Sequence, residues 1–272
     1  MAAESEEWCV ADMAADGQTD ESVVSTHNPS GTSPVLIVCE HASNYIPEPF
    51  NDLGLTADVA ISHVAWDPGA GQVARHLADM LDAPCLSGRV SRLIYDCNRP
   101  PDAVDAIPAK SEVYRIPGNE GLSSVQRAQR VASYYMPFKQ ALEDETSRLP
   151  TGGALVTIHS FTPVYFGEPR DVELGILHDA DSRLADAMLA VLPQLCDLNV
   201  QRNEPYGPQD GVTHTLKQHG VPNGLLNVMI EVRNDLLRSD EQCSAIAGVL
   251  AEALRVSIGQ FSPAEGMQGV AQ

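Results

Sequence analysis

Val35-Leu36-Ile37-Val38-Cys39 is a run of five apolar residues that stops at Glu40-His41, and Gly71–Leu81 downstream carries apolar residues at Val73, Leu77, Met80 and Leu81. The first is the pattern of a strand buried on both faces, the second that of an amphipathic helix. The alternation recurs along the chain. Leu93–Tyr95 reads as a strand, Ser123–Leu149 as a long helix opened by a serine cap, and Ala154–Ile158 as a buried strand that runs into His159. Val172–Leu177 reads as a further strand and Asp181–Leu192 as a helix stopped at Pro193. Leu225–Ile230 is strand-like, and Ser239–Ile258 closes the pattern as an amphipathic helix with Asp240 and Glu241 in its first turn. Parallel neighbours need helical crossovers, so this order predicts the α/β class: a single three-layer α/β/α domain with a mixed, mostly parallel sheet over 33–260. Residues 1–32 are expected to form a disordered acidic tail and 261–272 a short C-terminal tail.

Composition narrows the function classes. The chain has 272 residues, 17 Lys and Arg against 37 Asp and Glu, and 43% hydrophobic content, which is ample for a core. Seven acids and no Lys or Arg fall in the first 30 residues, so of the net charge of −20 the remainder still carries −13. A field of that sign repels phosphate backbones and anionic headgroups, and neither nucleic-acid nor membrane binding is expected. No run approaches the ~20 apolar residues of a membrane span, and the acidic N-terminus lacks a basic, then apolar leader; a cytoplasmic location is expected. The six cysteines show no CxxC or paired spacing and read as reduced, buried thiols.

Open α/β sheets bind ligands beyond the carboxyl ends of their strands, so the polar residues that follow each apolar run are the ones to collect. Glu40 and His41 follow the first, Asp96, Asn98 and Arg99 the second, His159 and Ser160 the third, and Glu231 and Arg233 the fourth. Together they offer two imidazoles for a metal, a carboxylate for a base and a guanidinium for an anion. A catalytic zinc takes three protein ligands and keeps a fourth position open, and a His/His/carboxylate set suits zinc best. His41 and His159 supply two. Asp67, before the turn Pro68-Gly69-Ala70-Gly71, is the choice for the third, with Glu40 and His63 as competitors and a helix cap as the plainer use of Asp67. Plainer uses exist for the others as well: a hydrogen-bonded core imidazole for either histidine, an ion pair with Arg233 for Glu231, a surface ion pair for Arg99. A serine or cysteine nucleophile is not indicated. There is no GxSxG elbow, and Ser160 points away from His159 on a strand.

Four segments taken together, Val38-Cys39-Glu40-His41-Ala42-Ser43-Asn44-Tyr45-Ile46-Pro47, Ala65-Trp66-Asp67-Pro68-Gly69-Ala70, Asp96-Cys97-Asn98-Arg99-Pro100 and Ile230-Glu231-Val232-Arg233-Asn234-Asp235, resemble the N-formylglutamate amidohydrolase family, over about residues 33–256. That family is in turn similar to the zinc carboxypeptidases, so the resemblance implies a zinc-carboxypeptidase-like fold. It also implies one zinc ion held by His41 and His159, Glu231 as general base and acid, and Asn98 with Arg99 as clamps on a substrate carboxylate. The carboxypeptidase pattern has a ligand Glu three residues after the first histidine, where this chain has Asn44, and Asp67 is the replacement expected. The motif Glu40-His41-Ala42-Ser43-Asn44 also departs from the Pro-His-Ser-Gly more usual in the histidine-degradation enzymes, so formylglutamate itself is not assumed as substrate.

The function expected is zinc-dependent hydrolysis of the amide of a small anionic N-formyl or N-acyl amino acid, giving a carboxylate and a free amino acid. Arg92 or Arg233 is expected to assist the oxyanion or orient Glu231, and His214 to line the pocket. Two rivals remain: a peptidase or amidase with a larger peptide substrate, and a catalytically inactive anion-binding relative. The stretch Pro100–Gly121, long for a plain loop, is expected to border the site.

Overall fold

The computed structural model describes residues 22–261. In chain order its strands are β1 (Val24–His27), β2 (Val35–Cys39), β3 (Cys85–Gly88), the short pair β4 (Lys110–Ser111) and β5 (Tyr114–Arg115), and β6 (Ala154–Phe161). The short pair β7 (Val164–Tyr165) and β8 (Glu168–Pro169) follows, then β9 (Leu174–Leu177), β10 (Val200–Arg202) and β11 (Leu226–Arg233). The helices are α1 (Ala57–Ala60), α2 (Ala70–Leu81), α3 (Ser124–Arg130), α4 (Met136–Arg148), α5 (Arg183–Val191) and α6 (Asp240–Gly259). Seven strands form one mixed sheet in the order β1-β3-β2-β6-β11-β9-β10. The centre, β3-β2-β6-β11, is parallel, while β1 joins β3 and β9 joins β11 antiparallel.

Strand period divides the core in two. Ile37, Val156, Ile158, Val228 and Ile230 pack on the face covered by α2, α5 and α6. Leu36, Val38, Leu155 and Met229 turn to the other face, against Phe138 and Leu142 of α4. His159 and Glu231 share the parity of Leu155 and Met229, and they are register partners across the β6–β11 ladder. The helix expected over Ser123–Leu149 is present from a Ser123–Gln126 capping box onward, but it widens to a π-turn at Val131–Tyr135. Pro137 has no N–H to continue the regular ladder, and the Met136 N–H reaches back to the Val131 carbonyl instead.

Two expectations need correction. Leu93–Tyr95 is buried but is not a strand: Ser91 Oγ accepts the Leu93 N–H at 3.2 Å and the Ile94 N–H donates to the Ser91 carbonyl at 2.9 Å, folding the run into a turn. The tail expected over 1–32 ends earlier, because Val24–His27 adds an edge strand to the sheet, and Thr32 caps onto Asp82 at 2.6 Å. The rest of that tail, residues 1–21, and the C-terminal residues 262–272 lie outside the described residues. The five described cysteines are free thiols, four of them buried, as their scattered spacing suggested. No helix among the described residues is long and apolar enough to cross a membrane.

Candidate active site

The carboxyl ends of β2, β6 and β11 open into a cavity of about 520 Å³, within the range of small-molecule sites. His41 follows β2, His159 lies near the end of β6, and Asp67 comes from the turn into α2. That turn needs glycine: Gly69 has φ +79°, and a Cβ there would sit 2.4 Å from Leu237 Cβ. Tight docking of the turn, with the Asp67 N–H donating to the His41 carbonyl at 3.0 Å, brings the carboxylate between the two imidazoles.

Asp67 Oδ2 lies 3.2 Å from His41 Nδ1 and 2.8 Å from His159 Nδ1, and the three residues are buried. It does not cap α2, which makes no side-chain cap hydrogen bond. The far nitrogen of each ring faces a second carboxylate. His41 Nε2 is 2.7 Å from Asp96 Oδ1; His159 Nε2 is 3.2 Å from Glu40 Oε2, close but without hydrogen-bond alignment. Asp96 is held by Arg92 Nη2 at 2.6 Å, and Glu40 Oε1 accepts from Thr215 Oγ1 at 2.5 Å. Arg92 also donates to Asp67 Oδ1 at 3.2 Å.

Burial and Arg92 act to lower the His41 pKa, but Asp96 and Asp67 outweigh them and the net shift is upward. For His159 burial again pulls down, yet Glu40 and Asp67 raise it well above the usual imidazole value. Burial would raise Asp96, but Arg92 and His41 hold it well below the usual carboxylate range. Glu231 behaves differently. Burial drives its carboxyl up to about 7, and its Oε2 has no hydrogen-bond partner.

This donor set fits a metal. Ligand atoms of a tetrahedral zinc stand about 3.4 Å apart, so the Nδ1 to Oδ2 distances of 3.2 and 2.8 Å need only widen slightly for the three groups to hold one ion. The ligand atoms of His41, Asp67 and His159 all lie within 4.8 Å of one another. Imidazoles whose second nitrogen meets a carboxylate are oriented and made more basic, the usual support of a metal-binding histidine. Glu40 and His63, the competing third ligands, lie elsewhere: Glu40 stands behind His159, and His63 Nε2 pairs with Glu112 Oε2 at 2.9 Å on the rim. Asn44 donates to the Ala60 carbonyl at 3.2 Å and takes no part.

The expected substrate clamps are largely committed. Asn98 donates to the Val212 carbonyl at 2.6 Å and accepts the Thr215 N–H at 3.0 Å, while Arg99 binds Asp105 at 2.7 Å and the Gly211 carbonyl at 2.9 Å. Both still line the cavity. Arg233 does not reach it. Its guanidinium holds Asp235 at 2.8 Å, Glu173 at 3.2 Å and the Arg170 carbonyl at 3.1 Å, so it neither orients Glu231 nor meets an oxyanion. His214 is likewise outside the lining, 3.0 Å from Tyr135 Oη. The stretch 100–121 does border the site: Ser111 and Glu112, at the β4–β5 turn, line the cavity, and Glu112 Oε1 accepts the Phe166 N–H at 3.0 Å from the β7–β8 hairpin. The sequence reading did not single out Arg170 or Tyr206. Both stand in polar loops with no apolar run to mark them.

A buried His-carboxylate-His set at the ends of parallel strands, with a second carboxyl left unpaired beside it, is equipment for metal-assisted hydrolysis. The family model of N-formylglutamate amidohydrolase matches residues 33–238, and the chain belongs to that family of amide-bond hydrolases. The gene product Atu2144 from Agrobacterium tumefaciens is similar at 51% identity and TM-score 0.85, over 89% of this chain and 96% of that one. N-formylglutamate amidohydrolase from Ralstonia eutropha JMP134 has the same fold at 16% identity and TM-score 0.58, covering 86% of this chain and 96% of its own. A metallo-carboxypeptidase from Burkholderia cenocepacia overlays at 10% identity and TM-score 0.40, over 88% of this chain and 61% of its own, too loosely to bear on the site. No curated protein matches the sequence.

Proposed function

We propose that this protein is a zinc-dependent amidohydrolase that cleaves a small N-formyl or N-acyl amino acid to a carboxylate and a free amino acid. The observation that carries the reading is the convergence of His41 Nδ1, His159 Nδ1 and Asp67 Oδ2, each imidazole backed by its own carboxylate, with Glu231 buried and unpaired in the same cavity.

His41, Asp67 and His159 hold the metal. When bound, zinc supplies Lewis-acid polarisation of the scissile carbonyl and acidifies a water molecule. Glu231 takes the proton of the attacking water at its carboxylate, a role suited to a buried group that lines the cavity and whose Oε2 has no other hydrogen-bond partner. The water oxygen bonds to the carbonyl carbon, the C–N bond breaks, and Glu231 returns the proton to the leaving amine nitrogen. Asp96 and Glu40 keep the two rings in the orientation that presents Nδ1, and Arg92 offsets the negative charge of Asp67 and Asp96. The cavity volume favours a small molecule over a peptide chain.

The test is an assay of zinc-loaded protein against a panel of N-formyl and N-acetyl L-amino acids, following free amino acid and, for the formyl series, formate. Turnover with release of both products supports the reading. Cleavage of peptides with no action on acyl amino acids would contradict it.

A further inference from the structure

Three arginines line the cavity, and their charges are unequally committed. Arg92 bridges Asp67 and Asp96, and Arg99 pairs with Asp105. Arg170 has no acidic partner among the described residues. Its guanidinium lies instead among three rings, 4.3 Å from the centroid of Tyr165, 4.8 Å from Tyr206 and 5.6 Å from Phe161. Only Nη1 is engaged, donating to Tyr206 Oη at 3.0 Å and to the Thr162 carbonyl at 3.4 Å.

The edge left open, Nε with Nη2, is the edge with which a guanidinium grips a carboxylate through two parallel bonds. Aromatic walls displace water from the cation without neutralising it, which strengthens its pull on an incoming anion. The backbone at Arg170 is fixed from both sides, its N–H donating to the Pro163 carbonyl at 2.8 Å and its own carbonyl accepting from Arg233 Nη1 at 3.1 Å. The conformation is therefore in place before a ligand arrives. In a chain with 37 acids and 17 bases, a cavity-lining arginine without an acidic partner among the described residues is a cation left available to an anionic ligand.

We propose that Arg170, rather than the Asn98-Arg99 pair, is the residue that selects substrate by binding its carboxylate. The inference rests on the amidohydrolase reading for the acyl group of the ligand but not for the carboxylate.

The experiment is calorimetric binding to zinc-loaded Glu231→Gln protein, with turnover suppressed, using N-formyl-L-glutamate, N-formyl-L-alanine and the uncharged N-formyl-L-alaninamide. Both acids should bind at least tenfold more tightly than the amide. Adding Arg170→Gln should weaken the acids roughly 10- to 100-fold and leave the amide unchanged. Arg170→Lys, which keeps the charge and loses the two-bond edge, should fall between. It is the readout if Arg170→Gln does not fold, and zinc content and melting temperature report that. Equal acid affinity in all three proteins, no preference for acid over amide, or no binding of either acid overturns the inference. Arg170-dependent binding with no hydrolysis by the unmodified enzyme would instead remove the amidohydrolase reading and leave this one standing. Hydrolysis with a KM indifferent to Arg170 would do the reverse.

Discussion

His41, His159 and His219 are all buried, yet their imidazole pKa values are displaced in opposite directions. At the strand ends, carboxylates on both sides of His41 and His159 overcome the cost of burial and push the two imidazoles up. In the segment after Gly211, burial is little opposed: His219 falls to about 4, and His214, beside the Tyr135 hydroxyl, is lowered too. Burial alone makes a neutral, inert ring. A ring becomes a metal ligand when something holds its far nitrogen and something else waits at the near one. The nearby carboxyls divide by the same logic: Asp67, Glu40 and Asp96 are drawn down by cations, while Glu231, with no hydrogen bond at Oε2, is pushed up.

The contrast can be attacked from the largest expected effect to the smallest. Glu231→Gln should lower kcat by roughly a thousandfold while the protein retains zinc, since general acid–base groups contribute about 10²–10⁴; single-turnover rates with metal analysis check both halves. Asp96→Asn removes the anion behind His41 and should weaken zinc about 10- to 100-fold in chelator competition, with the fold intact. Zinc affinity should also depend on pH. Both site imidazoles carry raised pKa values, so each is protonated below its folded pKa, and the metal must displace those protons. Apparent affinity therefore falls as pH drops and levels off above the raised pKa values, with net proton release visible as a buffer-dependent binding enthalpy. His219→Gln, at the other site, should leave zinc affinity and kcat within about twofold and cost on the order of 1 kcal/mol of stability, as measured by urea titration.

Much of this was legible in the sequence. Val35–Cys39 and Ala154–Ile158 mark β2 and β6, and each runs straight into a histidine of the site. Collecting the polar residues after Leu225–Ile230 found Glu231, which lines the cavity, but also Arg233, which does not, because following the same apolar run does not fix reach and Asp235 two residues on captures the guanidinium at 2.8 Å. Leu93–Tyr95 is too short for periodicity to separate a strand from a buried turn. Val24–His27 was hidden by the acidic residues before it, although its partner strand supplies the pairing. Asp96 and Glu40 stood out as acids at the ends of apolar runs, but their pairing with His41 and His159 is set by tertiary packing; His41 and Asp96 are 55 residues apart. Arg170 was invisible in part for the same reason, since Tyr206, one of its three ring neighbours, lies 36 residues away in sequence.

The claim on which the rest depends is that His41, Asp67 and His159 form one metal site, and plasma mass spectrometry of protein purified without chelator tests it most directly. The account predicts about one zinc per chain, lost in His159→Ala and retained in His219→Gln. Protein that carries no metal and takes up none when zinc is added, or a His159→Ala variant that keeps its full complement, would contradict it.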